Sequence, residues 1–332
     1  MKYFVTGATG FIGGSLVRQL RAAGHDVLAL VRSPQKASHL QALGIQLAPG
    51  DITDRASLRA PMTGVDGVFH TAGWYRVGVR NTDAGAKINI DGTRNVLETM
   101  KELNIPKGVY TSTLAVNSDT HGRLVDESYH YDGPHLTEYD RTKAVAHHRI
   151  AGPLMQAGLP LVMVMPGLTY GPGDHSDMHE VMVQYLKGQL PMAAQGVAFC
   201  WAHVEDVARG HILAMEQGRA GESYIICGEP MTLVAALKLA EKITGIPAPR
   251  LNLPPVMSRT ASALAGLVEP FIALPSAYSR ESLRISAGVT YWGDNGKAKR
   301  ELGYDPRPLA DGLRETLAYD LRELEIQPPK PE

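Results

Sequence analysis

The chain has 332 residues, 44% of them hydrophobic, and a formal net charge of −1. That length can bury a large α/β core, as one domain or as a main domain with a smaller lobe; near-neutral charge gives no support for binding nucleic acid or an anionic membrane. Two isolated cysteines, Cys200 and Cys227, fall short of a disulfide framework, form no Cys-x-x-Cys zinc pair, and fit a reducing, cytoplasmic setting.

Met1-Lys2 leads straight into the apolar run Tyr3-Phe4-Val5, so no secretory signal is expected. Behind that run stands Gly7-Ala8-Thr9-Gly10-Phe11-Ile12-Gly13, followed by the amphipathic Leu16-Val17-Arg18-Gln19-Leu20. The order is strand, glycine turn, helix. One glycine permits a tight turn, one lets backbone approach a pyrophosphate, and the third lets the helix pack on the strand. Free N–H groups and partial positive charge at the helix start then suit phosphate. The chain is expected to bind a dinucleotide.

Further along, Asp26–Val31 is a near-continuous apolar run, as in a parallel strand covered on both faces. Ile45–Ala48, Gly67–His70, Gly108–Thr113 and Leu159–Met165 read as further strands. Helical patterns occupy Ile88–Leu103 and about Glu138 to Gln156. Repeated βα units predict an α/β fold built on a doubly wound parallel sheet. Residues 1–165 form the expected dinucleotide-binding domain and 166–330 mainly a smaller, discontinuous substrate lobe, with parts of about 203–227 returning to the sheet. The stretch Ala261–Leu274 is apolar but interrupted by Glu269-Pro270, short of the roughly 18 residues a membrane span needs. It is expected to pack on the substrate lobe.

Tyr139-Asp140-Arg141-Thr142-Lys143 places Tyr139 and Lys143 on one helical face. An ammonium beside a phenol stabilises phenolate, which suits Tyr139 to proton exchange with a carbonyl or alcohol. Val109-Tyr110-Thr111-Ser112-Thr113 ends a strand in hydroxyls, and the carboxyl ends of parallel strands face the ligand crevice of such a sheet. For Thr111 a hydroxyl satisfied by backbone is the favoured reading.

Together these motifs resemble the extended short-chain dehydrogenase/reductase (NAD-dependent epimerase/dehydratase) family. Similar to it as well are Gly50-Asp51-Ile52-Thr53-Asp54, Asn89-Ile90-Asp91-Gly92-Thr93, Pro166-Gly167-Leu168-Thr169-Tyr170-Gly171-Pro172-Gly173, His203-Val204-Glu205-Asp206-Val207-Ala208 and Lys297-Ala298-Lys299-Arg300-Glu301-Leu302-Gly303-Tyr304. The likeness spans essentially the whole chain and looks closest to the dihydroflavonol-4-reductase and 3β-hydroxysteroid-dehydrogenase-like branch. It implies a Rossmann fold and hydride transfer at nicotinamide, with Tyr139 as general acid/base and Lys143 as its electrostatic partner and ribose ligand. Thr113 takes the catalytic Ser/Thr position, with Ser112 its neighbour should the register slip. The resemblance also implies cofactor contacts from Gly7, Thr9, Gly10, Phe11, Ile12, Gly13, Asp51, Ile52, Thr71, Ala72, Gly73, Asn89, Thr111, Ser112, Pro166 and Gly167. It further implies a homodimer formed through the helices around 89–104 and 139–156.

The second strand ends in Val31 where NAD sites usually carry an acid, with Arg32 next and Lys36 nearby. A guanidinium suits a 2′-phosphate, so NADP is the expected cofactor, with NAD the alternative. Related sugar dehydratases carry an acidic pair after the catalytic threonine; here Leu114-Ala115 follows Thr113. Met178, Met182, Phe199, Trp201, Trp74 and Tyr75 are candidates to line a pocket for an aromatic or alicyclic carbonyl compound, or else to be ordinary core. The expected activity is NADP-dependent reduction of a ketone or aldehyde. A nucleotide-sugar epimerase with retained NAD and a non-catalytic NADP-binding redox sensor are the alternatives. Asp174-His175-x-Asp177-x-His179 has histidines four apart but reads as a solvated loop and helix start rather than a metal site. His147 and His148 are assigned no catalytic role.

Overall fold

The computed structural model describes residues 1–79, 81–272 and 274–327. Ala273 of the apolar 261–274 stretch and the last residues of the expected 166–330 lobe lie outside the described residues. The strands in chain order are β1 (Lys2–Thr6), β2 (Asp26–Val31), β3 (Gln46–Pro49), β4 (Gly67–His70), β5 (Gly108–Thr111), β6 (Leu161–Pro166), β7 (Leu168–Tyr170), β8 (Met192–Ala194), β9 (Ala198–His203), β10 (Ser223–Ile226), β11 (Pro230–Thr232), β12 (Leu251–Leu253) and β13 (Thr290–Tyr291). Seven of them form one sheet in the order β10-β6-β5-β4-β1-β2-β3, and every pairing in it is parallel.

Side chains of period two explain why this sheet is covered on both faces. Tyr3, Val5, Val27, Ala29, Val31, Phe69, Val109, Val162 and Val164 enter one buried cluster with the helices Phe11–Ala22 and Val204–Glu216. Their neighbours Phe4, Leu30, Val68, Tyr110, Leu161 and Met163 enter a second cluster with Leu58, Val96, Leu97, Ala146 and Ile150. Alternate residues of the same strand thus feed two separate cores. Strand order reverses between β1 and β4, so the loops after these two strands part and leave a crevice.

The expected helix from about Glu138 to Gln156 is one continuous helical run: α over Glu138–Ala146, a π segment over His147–Ala151, then α over Gly152–Gln156. The Ile88–Leu103 pattern likewise begins in a π segment, Ala86–Gly92, before the α-helix Thr93–Glu102. Beyond β6 the chain builds a smaller sheet in which β9 pairs with β7 and β13 in parallel and with β11 antiparallel. β8 pairs with β12. Strand β10 lies at the edge of the main sheet, against β6.

The apolar 261–274 stretch departs from expectation. It belongs to the helix Pro255–Val268, whose inward face is Ser258, Ser262 and Ala265. Leu264, Leu267, Val268, Phe271 and Ile272 are exposed instead. No helix among the described residues is long and apolar enough to cross a membrane.

Candidate active site

The glycine turn closes the carboxyl end of β1. Gly7 has φ +76°, and a Cβ there would stand 2.6 Å from the Ala72 backbone nitrogen. A Cβ at Gly13 would collide with the Gly7 carbonyl oxygen, so the helix Phe11–Ala22 starts hard against the turn. That helix has no side-chain cap and no acid in its first turn. Its first N–H groups are therefore free for an anion. Thr9 and Gly10 are exposed, and Phe11 and Ile12 half-buried, at this mouth. Uncapped donors and tight glycines fit the pyrophosphate of a dinucleotide.

The other expected cofactor residues divide into two groups. Arg32 and Lys36 are exposed just past β2, and neither forms a hydrogen bond or ion pair among the described residues. Asp51 is half-buried; its Oδ1 accepts from the Thr53 amide at 2.8 Å. Ile52, Thr71, Asn89, Thr111 and Ser112 serve the packing. Ile52 is buried beneath Gly92. Thr71 Oγ1 donates to the Thr6 carbonyl at 2.7 Å. Asn89 Oδ1 accepts from the Trp74 amide at 2.7 Å, and its Nδ2 donates to Thr142 Oγ1 at 2.9 Å. Asn89 thereby fixes the loop after Ala72 and Gly73 to the helix that carries Tyr139. Gly167 follows Pro166, the last residue of β6, and lies so close to the Cys200 carbonyl that a Cβ would overlap it.

The three hydroxyls after β5 go three ways. Thr111 Oγ1 pairs with His211 Nε2 at 2.8 Å rather than with backbone, and Ser112 Oγ pairs with His147 Nδ1 at 2.7 Å. Thr113 Oγ1 caps Leu114–Asn117 by accepting from the Ala115 amide at 3.2 Å, and its hydroxyl stands near enough to the Tyr139 phenol to favour the phenolate. Thr113 and not Ser112 is therefore the hydroxyl beside the phenol. Thr137 caps the helix that follows, its side chain accepting from the Asp140 amide at 3.0 Å. That cap starts the helix two residues before Tyr139.

The electrostatics differ from the sequence expectation. Burial pushes Tyr139 up to about 12, the Thr113 hydroxyl opposes it, and neighbouring Asp140 adds to it. Burial also pushes Lys143 down to about 7. Its ammonium donates to the Thr111 carbonyl at 2.6 Å and to the Tyr110 hydroxyl at 3.2 Å. Among the described residues no hydrogen bond joins Lys143 to Tyr139. The phenol is thus held protonated at neutral pH, one helical turn from a cation with its own seat.

Tyr75 and Phe199, two of the pocket candidates, enter the surroundings of the site together with Tyr291 and Glu281, for which the sequence carries no signal. The Tyr75 ring meets the Tyr139 ring edge-on at 4.8 Å. Tyr291 donates to buried Asp140 at 3.3 Å and stacks on Phe199 at 6.0 Å. Glu281 accepts from the amides of Gly78 at 3.0 Å and Glu138 at 2.9 Å, tying the helix Arg280–Ile285 to both walls of the site. These contacts link residues far apart in sequence, so only the fold reveals them. Met182 and Trp201, by contrast, are buried core with Tyr170 and Leu313, and Met178 packs against them. His179 pairs with Asp320 at 3.2 Å, which joins the helix Asp177–Leu186 to the helix Leu309–Glu323.

Residues 3–227 match the model of the NAD dependent epimerase/dehydratase family. The chain belongs to that family. It is 32% identical to a putative dihydroflavonol 4-reductase from Synechocystis, over 96% of this chain and 94% of the relative. It is 33% identical to 4-hydroxy-2-methyl-3-oxo-4-farnesyl-3,4-dihydroquinoline-1-oxide ketoreductase from Stigmatella aurantiaca, with 92% of each covered. The crystal structure of gox2253 superposes with TM-score 0.85 at 30% identity, covering 98% of this chain and 99% of that one. DesIV, a dTDP-glucose 4,6-dehydratase from Streptomyces venezuelae solved as a double mutant with NAD and DAU bound, superposes at 0.76 with 25% identity, covering 97% of both chains. The chain is an NAD(P)-dependent oxidoreductase of the extended short-chain type.

Proposed function

We propose that this enzyme reduces a ketone or aldehyde to the alcohol, with NADPH as the preferred reductant. The observation that carries the reading is the grouping of the Tyr139 phenol with the Thr113 hydroxyl beside it and Lys143 one helical turn away, seated on the Thr111 carbonyl. The bound dinucleotide supplies the hydride to the carbonyl carbon. Thr113 and Tyr139 together hold the carbonyl oxygen, and Tyr139 delivers its proton there as charge develops. A cationic Lys143 stabilises the phenolate left behind until solvent returns the proton. Thr113 remains with the phenol throughout and fixes its direction.

Residues 1–165 carry the cofactor in this reading, and 166–330 mainly the substrate. Arg32, exposed and without a hydrogen bond or ion pair among the described residues, supports NADP through a 2′-phosphate contact. Leu114 is buried in a core cluster where dehydratases carry an acid, which speaks against sugar dehydration. The ketoreductase and dihydroflavonol reductase names of the relatives point the same way.

The test is NADPH consumption against a panel of aryl ketones, cyclic ketones, aldehydes and dihydroflavonols, with NADH in parallel. Tyr139→Phe is expected to cut kcat by about 10²–10⁴-fold. Folded, cofactor-binding protein that consumes neither cofactor would overturn the reading in favour of epimerisation or sensing. Arg32→Ser is expected to raise KM for NADPH about tenfold while leaving KM for NADH within about twofold; equal effects on both would remove the argument for NADP.

A further inference from the structure

The cluster between the sheet and the catalytic helix is apolar except for a chain of polar side chains at its centre. Lys143 Nζ donates to the Tyr110 hydroxyl at 3.2 Å and stands 4.8 Å from the centre of the same ring. The Thr93 side chain lies near the Tyr110 hydroxyl and pulls its pKa down against burial, which raises it. Thr93 Oγ1 pairs with His70 Nε2 at 3.1 Å, and His70 Nδ1 pairs with Thr6 Oγ1 at 2.7 Å. The His70 ring lies against the Tyr110 ring, 5.4 Å between centres and 21° from parallel. Thr6 Oγ1 finally accepts from the Ala72 amide at 3.3 Å. The chain therefore runs from the catalytic helix, under the crevice, to the loop after β4.

Each member is buried: Thr6, His70 and Tyr110 have no exposed surface, Thr93 has 1% and Lys143 has 4%. A phenylalanine at position 110 would fill nearly the same volume without desolvating a hydroxyl. An ammonium has only donors, so the Tyr110 oxygen must accept from it, leaving the phenol O–H for Thr93. No carboxylate pairs with Lys143 among the described residues. The groups facing it are Tyr110 from β5, His70 from β4, and Tyr139 and His147 from its own helical run. Burial, with Lys143 adding to it, pushes His70 down to about 3; burial first and then His148 and Lys143 hold His147 at about 3. Both histidines are neutral at working pH. Tyr110 and the Thr111 carbonyl are thus the protein's only acceptors for this cation among the described residues.

We propose that Tyr110, backed by Thr93 and His70, is a positioning residue for the reaction: it seats the Lys143 ammonium and sets how firmly that ammonium keeps its proton. Tyr110 does not touch the substrate. It acts through Lys143, and the inference rests on the reading that Tyr139 and Lys143 carry the reduction.

The deciding experiment is the pH profile of kcat for ketone reduction by Tyr110→Phe at saturating cofactor. Reduction needs charged Lys143, so its loss of a proton forms the alkaline limb. Removing one of two acceptors weakens the charged form. The limb is expected to move to lower pH by about one unit, with kcat at neutral pH down about tenfold and substrate KM within about twofold. Thr93→Val keeps the Tyr110 hydroxyl and is expected to move the limb the same way by less, which decides the matter should Tyr110→Phe not fold. An unmoved limb in folded Tyr110→Phe overturns the proposal even where kcat falls, because lost packing alone lowers rate without shifting a titration. A wild-type rate retained in Tyr139→Phe would instead overturn the reductase reading, so the two failures are distinct.

Discussion

Two helices of the molecule obey opposite rules. In Glu138–Ala146 the inward face is polar, with Asp140, Thr142 and Lys143 all buried, and each has partners: Thr137 and Tyr291, Asn89, and Tyr110 with the Thr111 carbonyl. In Pro255–Val268 the inward face is small, while Leu264, Leu267 and Val268 look outward. The first helix is fixed by directional bonds to two strands, β5 and β13, and to the π segment Ala86–Gly92. The second is held chiefly through Ser262, whose hydroxyl donates to the Arg280 carbonyl at 2.9 Å, and through the close approach of Arg280 to Gly266. Buried polar groups that are all paired specify one arrangement, whereas small-residue contacts specify little. The Tyr139 helix is therefore built once, while the second helix is held less firmly.

The sharpest way to break the rigid side is Gly13→Ala. The new methyl would meet the Gly7 carbonyl and, at 2.8 Å, Thr71 Oγ1, and neither turn nor strand can yield. A loss of about 3 kcal/mol in stability and of detectable dinucleotide binding is expected, read by denaturant melts and fluorescence titration. Gly64, with open space at its Cβ position, is the matched control for an added methyl, although its φ of +72° adds a small strain of its own.

A second test asks what the buried cation costs. Lys143 sits at about 7 against an ordinary 10.5, so folding is penalised wherever the folded protein must keep it charged. Below pH 7 both folded and unfolded chains carry the proton and the penalty is full. Between about 7 and 10.5 the folded protein gives up the proton first, and the penalty fades as pH rises. Lys143→Met is thus expected to abolish turnover yet stabilise the cofactor-free protein by roughly 1–2 kcal/mol at pH 7, with the gain shrinking toward pH 10. A destabilised variant at every pH would mean that the Tyr110 and Thr111 acceptors outweigh desolvation.

The same contrast explains what could be read from sequence. Strand alternation, the glycine turn and Tyr139-x-x-x-Lys143 are local patterns enforced by dense packing, so the doubly wound sheet and the tight turn at Gly7 were legible. The seat of Lys143 on Tyr110 and the Thr111 carbonyl was not, because spacing on a helix gives the face but not the partner across from it. Tyr110 reads as one more residue of an apolar strand; only β4 and the Thr93 helix beside it reveal a seat. Met182 and Trp201 read from sequence as pocket or core alike, because apolar character alone does not separate the two; the fold places them in a core cluster. The 261–274 stretch failed for the converse reason: an apolar face implies burial only when something is there to cover it.

The smallest expected effect belongs to that outward face. Leu267 is 70% exposed, so replacing it with serine removes little buried surface. Leu267→Ser is expected to change stability by no more than about 0.5 kcal/mol, against about 2–3 kcal/mol for truncating a buried leucine such as Leu97. Measured by chemical denaturation at two protein concentrations, the pair of variants gives the comparison a number. A loss near 2 kcal/mol at Leu267 would show that its side chain is covered in solution, and the second helix would then be as firmly placed as the first. A negligible loss would leave the second helix held through its inward face of Ser258, Ser262 and Ala265 and through the Glu269 carboxylate, which accepts from the Arg280 amide at 2.6 Å, so that changes on its outward face leave the fold intact.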